Sequence, residues 1–336
     1  MEKRNYYTQT DSCKTFLWAL IVPQAVSLLL ALIFSYFYKT PEELSASLIY
    51  LFTATIVAQA CFAFVAYVYN KQNNINFIKA TKLDISKLSI KNILICVCIS
   101  LIAVFGLYNF INMFGKVFTK LGFDTPATSL PINTFYWFII NVVLLAVVPA
   151  ITEEIIFRGM IYNGFRKSGY IKASLLSCLM FALIHLSIKQ FIFPIIMGLV
   201  FALILEKTGS LIYTMITHFC NNFIVLLISY ISTSVGKDFL YIDVKTIPVA
   251  LLVTAIATIS LVIIWVLIKY VLVNNNNGDE KQKEIQIDKE NNLLQEDSTN
   301  DLTNDTKKRQ YYKYLIGAIA SGVLLWLIYV ISELVA

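Results

Sequence analysis

The sequence predicts an all-α polytopic membrane protein, a transmembrane helical bundle of about eight to nine membrane helices, and three observations carry that prediction. Of its 336 residues, 58% are hydrophobic and only 14% are charged, with a mean hydropathy of +0.70. The apolar residues gather in runs of about 16 to 26, the length a helix needs to cross a hydrocarbon core. Twelve glycines and seven prolines are too few to separate the alternating strands of a membrane β-barrel.

Residues 1–14 are polar and carry Lys3, Arg4 and Lys14. The apolar run that follows, 16–38, is longer than a cleavable signal core and reads as a retained span. A second run covers 47–69, and the stretch after it holds Lys71, Lys79, Lys82, Lys87 and Lys91, a cluster expected on the cytoplasmic side. A third run is 93–111 and a fourth is 134–151. Two shorter runs, 173–188 and 191–205, invite tilt or a locally thinned bilayer. Runs 211–231 and 248–273 complete the main body. Counted as full spans, they let the Lys/Arg-rich loops alternate from a cytoplasmic N-terminus.

Residues 274–310 are polar, Asn-rich and without apolar periodicity, the composition of a disordered cytoplasmic linker. A last membrane helix is expected within 311–336, set apart as an appendage. The predicted organisation is therefore N-terminal membrane helices over 1–133, a core over 134–232, a further membrane helix over 233–273, the linker, and the C-terminal helix. No internal repeat is visible, which weighs against a transporter of two related halves.

The formal charge of +6 has no basic domain behind it, so no nucleic-acid partner is expected; the positive charge is topological. The six cysteines, Cys13, Cys61, Cys96, Cys98, Cys178 and Cys220, lie mostly in apolar runs and read as small buried hydrophobes. Cys96-x-Cys98 has no partner pair, so neither a disulfide framework nor a zinc module is indicated.

Chemistry concentrates at Glu153-Glu154-Ile155-Ile156-Phe157-Arg158. Ionisable groups at membrane depth are expensive and mark functional sites by default. At 100° per residue Glu154 and Arg158 share a helix face and can pair, while Glu153 points elsewhere and becomes the candidate general base. Pro149 removes a backbone N–H four residues before Glu153 and favours a kink. The chain has two histidines, both in apolar runs: His185, one turn after Phe181, and His218, one turn before Asn222. By helical rise Glu153, His185 and His218 lie at similar depth, about 15–20 Å from the basic loops, as a shared cavity requires.

In this order the three motifs, Glu153-Glu154…Arg158, Phe181…His185 and His218…Asn222, resemble the CPBP family of intramembrane proteases, also called Abi. That family includes type II CAAX prenyl endopeptidases and bacteriocin-immunity proteins, and the resemblance covers about residues 134–230. It implies a membrane-embedded endopeptidase in which Glu153 and His185 activate water, Glu154 and Arg158 support them, and His218 and Asn222 stabilise the oxyanion. Asn221 leaves the identity of the donor amide open. No cofactor is expected, although zinc held by Glu153, His185 and His218 is the mechanistic rival. A non-catalytic immunity or scaffold protein is the rival of another class.

The expected partners are the lipid bilayer and a membrane-associated or peptide substrate, in peptide or bacteriocin processing or immunity. The Lys-, Asn- and Ile-rich composition points to a bacterial plasma membrane. The expectation for orientation is a cytoplasmic N-terminus and a cytoplasmic opening of the site, with the opposite half of the bundle sealed by apolar side chains.

Overall fold

Short polar residues start the long helices. In the computed structural model, which describes residues 3–123, 130–238, 240–272 and 301–335, helix α1 (Gln9–Ser35) opens with a capping box. Thr8 Oγ1 accepts from the Asp11 N–H, and the Asp11 carboxylate accepts from the Thr8 N–H. Ser47, Ser89, Thr134 and Ser210 similarly take up a free first-turn N–H of α2 (Leu48–Gln72), α3 (Ile90–Lys120), α4 (Phe135–Ser168) and α7 (Leu211–Val235). Between α4 and α7 lie the shorter α5 (Tyr170–Leu183) and α6 (Ile192–Thr208). The chain continues with α8 (Ile247–Val271) and α9 (Asp301–Val335). Among the described residues no strand forms.

Seven helices among the described residues, α1 to α4 and α7 to α9, are long and apolar enough to cross a membrane. The chain is thus an all-α integral membrane bundle, and the expected eight to nine helices resolve into seven full-length spans and one short hairpin. With 14 residues α5 rises only about 20 Å. That is short of the roughly 30 Å that a full crossing needs.

The helices alternate in direction, which brings Gln9 against Ser168, the Leu211 N–H onto Lys82 O at 2.9 Å, and Lys207 Nζ onto Lys269 O at 3.0 Å. This end also carries Lys71, Lys79, Lys87, Lys91, Arg166, Lys167 and Lys172, and is called the basic face below. At the far face Lys116 and Lys245 both pair with Asp243, at 2.6 and 2.9 Å.

Two apolar cores flank the site. Phe16, Phe62, Phe157, Tyr162 and Phe165 join α1, α2 and α4, while Ile99, Phe201, Tyr213 and Ile264 join α3, α6, α7 and α8. Helix α9 is part of the first core and not an appendage. Gly322 packs against Phe16 and Leu183, the Trp326 ring lies 5.0 Å from Phe191 at the hairpin turn, and Tyr329 OH donates to Gln24 Oε1 at 3.0 Å. This helix begins at Asp301, so the expected linker 274–310 ends earlier than its polar composition suggested. Residues 274–300 of that linker lie outside the described residues.

Candidate active site

Helix α4 is irregular where its polar residues sit. A π-helical stretch, Val142–Val147, precedes the α-turns Val148–Glu154, and a second, Ile155–Tyr162, follows them. The irregularity expected at Pro149 takes this form. Wide turns of this kind recur at functional sites because they free backbone groups and change the register of side chains. Pro149 has no N–H to offer the Leu145 carbonyl, and Asn222 Nδ2 on α7 donates to that oxygen at 3.0 Å. A helix defect on one element thereby anchors an amide on another, leaving the second N–H of Asn222 for a further acceptor.

The two adjacent glutamates have opposite surroundings. Glu154 and Arg158 are both fully buried, and Arg158 Nη1 donates to Glu154 Oε1 at 2.9 Å. The guanidinium lies between two rings, 4.4 Å from the centre of Phe181 and 5.0 Å from that of Phe201, where ring faces compensate part of its lost hydration. Gly198 of α6 makes room for it: a Cβ there would stand 3.1 Å from Arg158 Nη2 and 2.7 Å from Cys178 Cβ. The same Glu154 oxygen accepts from His218 Nδ1 at 3.0 Å. That bond sets the ring so that Nε2 faces Glu153 Oε2 at 3.9 Å. Phe201 stacks on the imidazole at 5.0 Å.

Glu153 faces the other way, into a cavity of about 310 Å3 that His185, His218, Asn221 and Asn222 also line. His185 donates through Nδ1 to the Phe181 carbonyl at 2.8 Å, so its Nε2 carries the lone pair. The next residue, Leu186, holds φ at +50°, a left-handed conformation in which a side chain is strained by about 1–2 kcal/mol. The chain turns there within one residue and leaves the imidazole at the hairpin tip.

All the residues singled out by sequence thus assemble into one unit, Glu153, His185, His218 and Asn222 in the cavity wall and Glu154 with Arg158 directly behind it. Depth counted along the sequence holds despite an apparent mismatch, since His218 is only about 10 Å from Leu211 by helical rise. Helix α7 starts below the surface, its Leu211 fully buried and held by the inward-folded segment around Lys82.

Gln59 of α2 was missed. Its Nε2 donates to Glu153 Oε1 at 3.1 Å, and its Oε1 accepts from the Thr152 hydroxyl. The signal was present as a lone amide in the middle of the apolar run 47–69, where an unpartnered polar group is costly.

The cavity's lining extends away from the basic loops. The cavity is walled by Leu145 and Pro149, which precede Glu153 on α4, by Asn221 and Asn222, which follow His218 on α7, and by Gln190, Phe193 and Pro194 at the hairpin turn. All of these lie farther from the basic face than the Glu154–Arg158 pair. On the basic side Phe157, Tyr162, Phe165, Tyr213 and Leu205 are fully buried and close the bundle.

Zinc would have to be met by Glu153 and the two Nε2 atoms, because both Nδ1 atoms are engaged. Among the described residues no group of three or more His, Cys, Asp or Glu side chains stands close enough together to hold a metal ion.

Residues 135–224 match the family described as type II CAAX prenyl endopeptidase Rce1-like. No curated protein and no solved structure matches the chain. The matched stretch runs from the start of α4 into α7 and contains every site residue named above except Gln59. The family is one of peptidases, hydrolases that work within membranes, and a bundle with buried charge at mid-span is the setting such chemistry needs. Residues 135–224 are therefore a type II CAAX prenyl endopeptidase Rce1-like domain, of the CPBP family.

Proposed function

We propose that the chain is an intramembrane endopeptidase in which Glu153 is the general base, working without a metal. The observation that carries this reading is the bonded series Arg158, Glu154, His218, which leaves Glu153 as the carboxylate facing the cavity. A water between Glu153 and His185 Nε2 gives its proton to Glu153 as its oxygen attacks the peptide carbonyl carbon. The resulting oxyanion takes hydrogen bonds from Asn222 and, when its ring is doubly protonated, from His218 Nε2; one such donor contributes roughly 3–4 kcal/mol in comparable sites. On collapse the C–N bond breaks, and the proton held by Glu153 passes to the leaving amine.

The substrate in this reading is a peptide or membrane-associated chain, in peptide processing or immunity, and the membrane is a bacterial plasma membrane. The Lys/Arg excess puts the basic face, and with it the N-terminus, in the cytoplasm. The test is turnover of two quenched peptides, one S-farnesylated and one unmodified, by the purified chain and by Glu153→Gln and His185→Ala. We expect both substitutions to abolish cleavage while melting in detergent is kept, and cleavage to persist in EDTA. Equal turnover by wild type and Glu153→Gln would sink the reading.

A further inference from the structure

Two independent features decide the side from which the site is reached. The first is the hairpin of α5 and α6, whose turn carries exposed Gln190 beside the cavity and stops about 20 Å above the basic face. Beyond the turn this hairpin contributes no further helix, and the cavity occupies that side. The second is closure beneath, where the buried Glu154–Arg158 pair and fully buried Phe157, Phe165 and Tyr213 lie between the cavity and the basic face; a separate cavity of about 800 Å3 between α2 and α4, lined by Lys3, Lys71, Asn74 and Thr152, shares no lining residue with it. The basic face itself is the cytoplasmic one by its lysine and arginine excess.

We propose that the cavity opens to the face opposite the Lys/Arg-rich one, so that the site is entered from outside the cytoplasm. Resting on the proteolytic reading above, this makes the substrate a peptide segment in the outer half of the membrane or beyond it, not a chain end delivered from the cytoplasm. Apart from Glu153 and the two histidines, the lining offers no ionisable group, only amides and apolar side chains. It therefore takes a segment uncharged around the scissile bond, its backbone read by the amides.

Thiol accessibility tests this without any turnover. In the full chain lacking the six native cysteines, Gln190→Cys and, as a second mouth position, Leu145→Cys are compared with Lys207→Cys. Trimethylammonium-ethyl methanethiosulfonate, which does not cross membranes, is applied to intact cells and to inside-out vesicles, and each protein's melting is recorded. We expect the two mouth cysteines to react in intact cells and the Lys207→Cys protein only in inside-out vesicles. Reaction of the mouth cysteines only in inside-out vesicles, reaction of mouth and basic-face cysteines from the same side, or a mouth closed from both sides overturns the proposal. Outside labelling of the mouth, in a protein whose Glu153→Gln variant cleaves as well as wild type, would keep the access route and sink the protease.

Discussion

Around Glu154 and Arg158 the centre of the bundle is packed; on the other side of the acidic pair, around Glu153, it is hollow. Glu154 belongs to the packed half, held by Arg158 and His218 with no solvent exposure, and Glu153 belongs to the hollow half, bonded by Gln59 from α2 and faced by His218 Nε2 at 3.9 Å. The residues are neighbours in sequence, yet one turn of roughly 100° sends them to opposite sides of a boundary. The difference teaches that support and reactivity are separated here by helix rotation and not by distance along the chain. A carboxylate walled in by a cation and two rings is fixed in place, whereas one at the edge of a cavity can exchange a proton with water.

That comparison breaks most sharply at Glu153. Replacing it with Gln should cost 10²–10⁴-fold or more in kcat, the usual contribution of a general base, and leave the melting temperature within a few degrees. Glu154→Gln should do the reverse in kind, and loss of rate without loss of stability there would erase the distinction between the halves. Next in size is Arg158→Ala, which strands Glu154 as a buried charge. A loss on the order of 3–5 kcal/mol of stability is expected, read as early melting in detergent together with inactivity; wild-type melting would show the pair to be solvated.

Asn222→Ala removes the amide tied to the Leu145 carbonyl and should lower kcat about 10²-fold. Asn221→Ala should affect rate less, and an equal effect would move the oxyanion donor to Asn221. The smallest predicted effect sharpens the comparison on the hollow side. Gln59→Leu should lower kcat about tenfold with little change in KM, since Gln59 orients Glu153 through its bond to Oε1. Thr152→Val should act in the same direction and Thr152→Ser should not. In the double variant Gln59→Leu/Thr152→Val the losses should not add, as expected for groups acting through one bond; additive losses would mean that Thr152 does not work through Gln59.

Much of this was legible in the sequence. Length and apolarity marked the spans, the four-residue interval from Glu154 to Arg158 marked the buried pair, and the solitary histidines marked the other helices that reach the site. The partner of Glu153 was not legible, because Gln59 lies 94 residues away and no local pattern relates α2 to α4. The place of the cavity relative to the basic face was not legible for a different reason. Counting residues from the nearest lysine measures depth, but not which neighbours fill the space above and below, and the brevity of runs 173–188 and 191–205 was the clue to that. The start of α9 was hidden by composition, since charged residues such as Lys308 and Arg309 continue a helix outside the membrane without any apolar period.

The short hairpin also ties the rate of this protein to its lipids. Its turn stops about 10 Å short of the ~30 Å hydrocarbon core, so acyl chains and headgroups must dip towards it or leave a wet depression. Longer acyl chains deepen the layer that an entering peptide and its water must cross, and shorter ones bring the headgroups down to the mouth. Reconstituted in bilayers of increasing chain length, the protein should slow without any change in its fold, its activity reporting the thickness of the membrane around it.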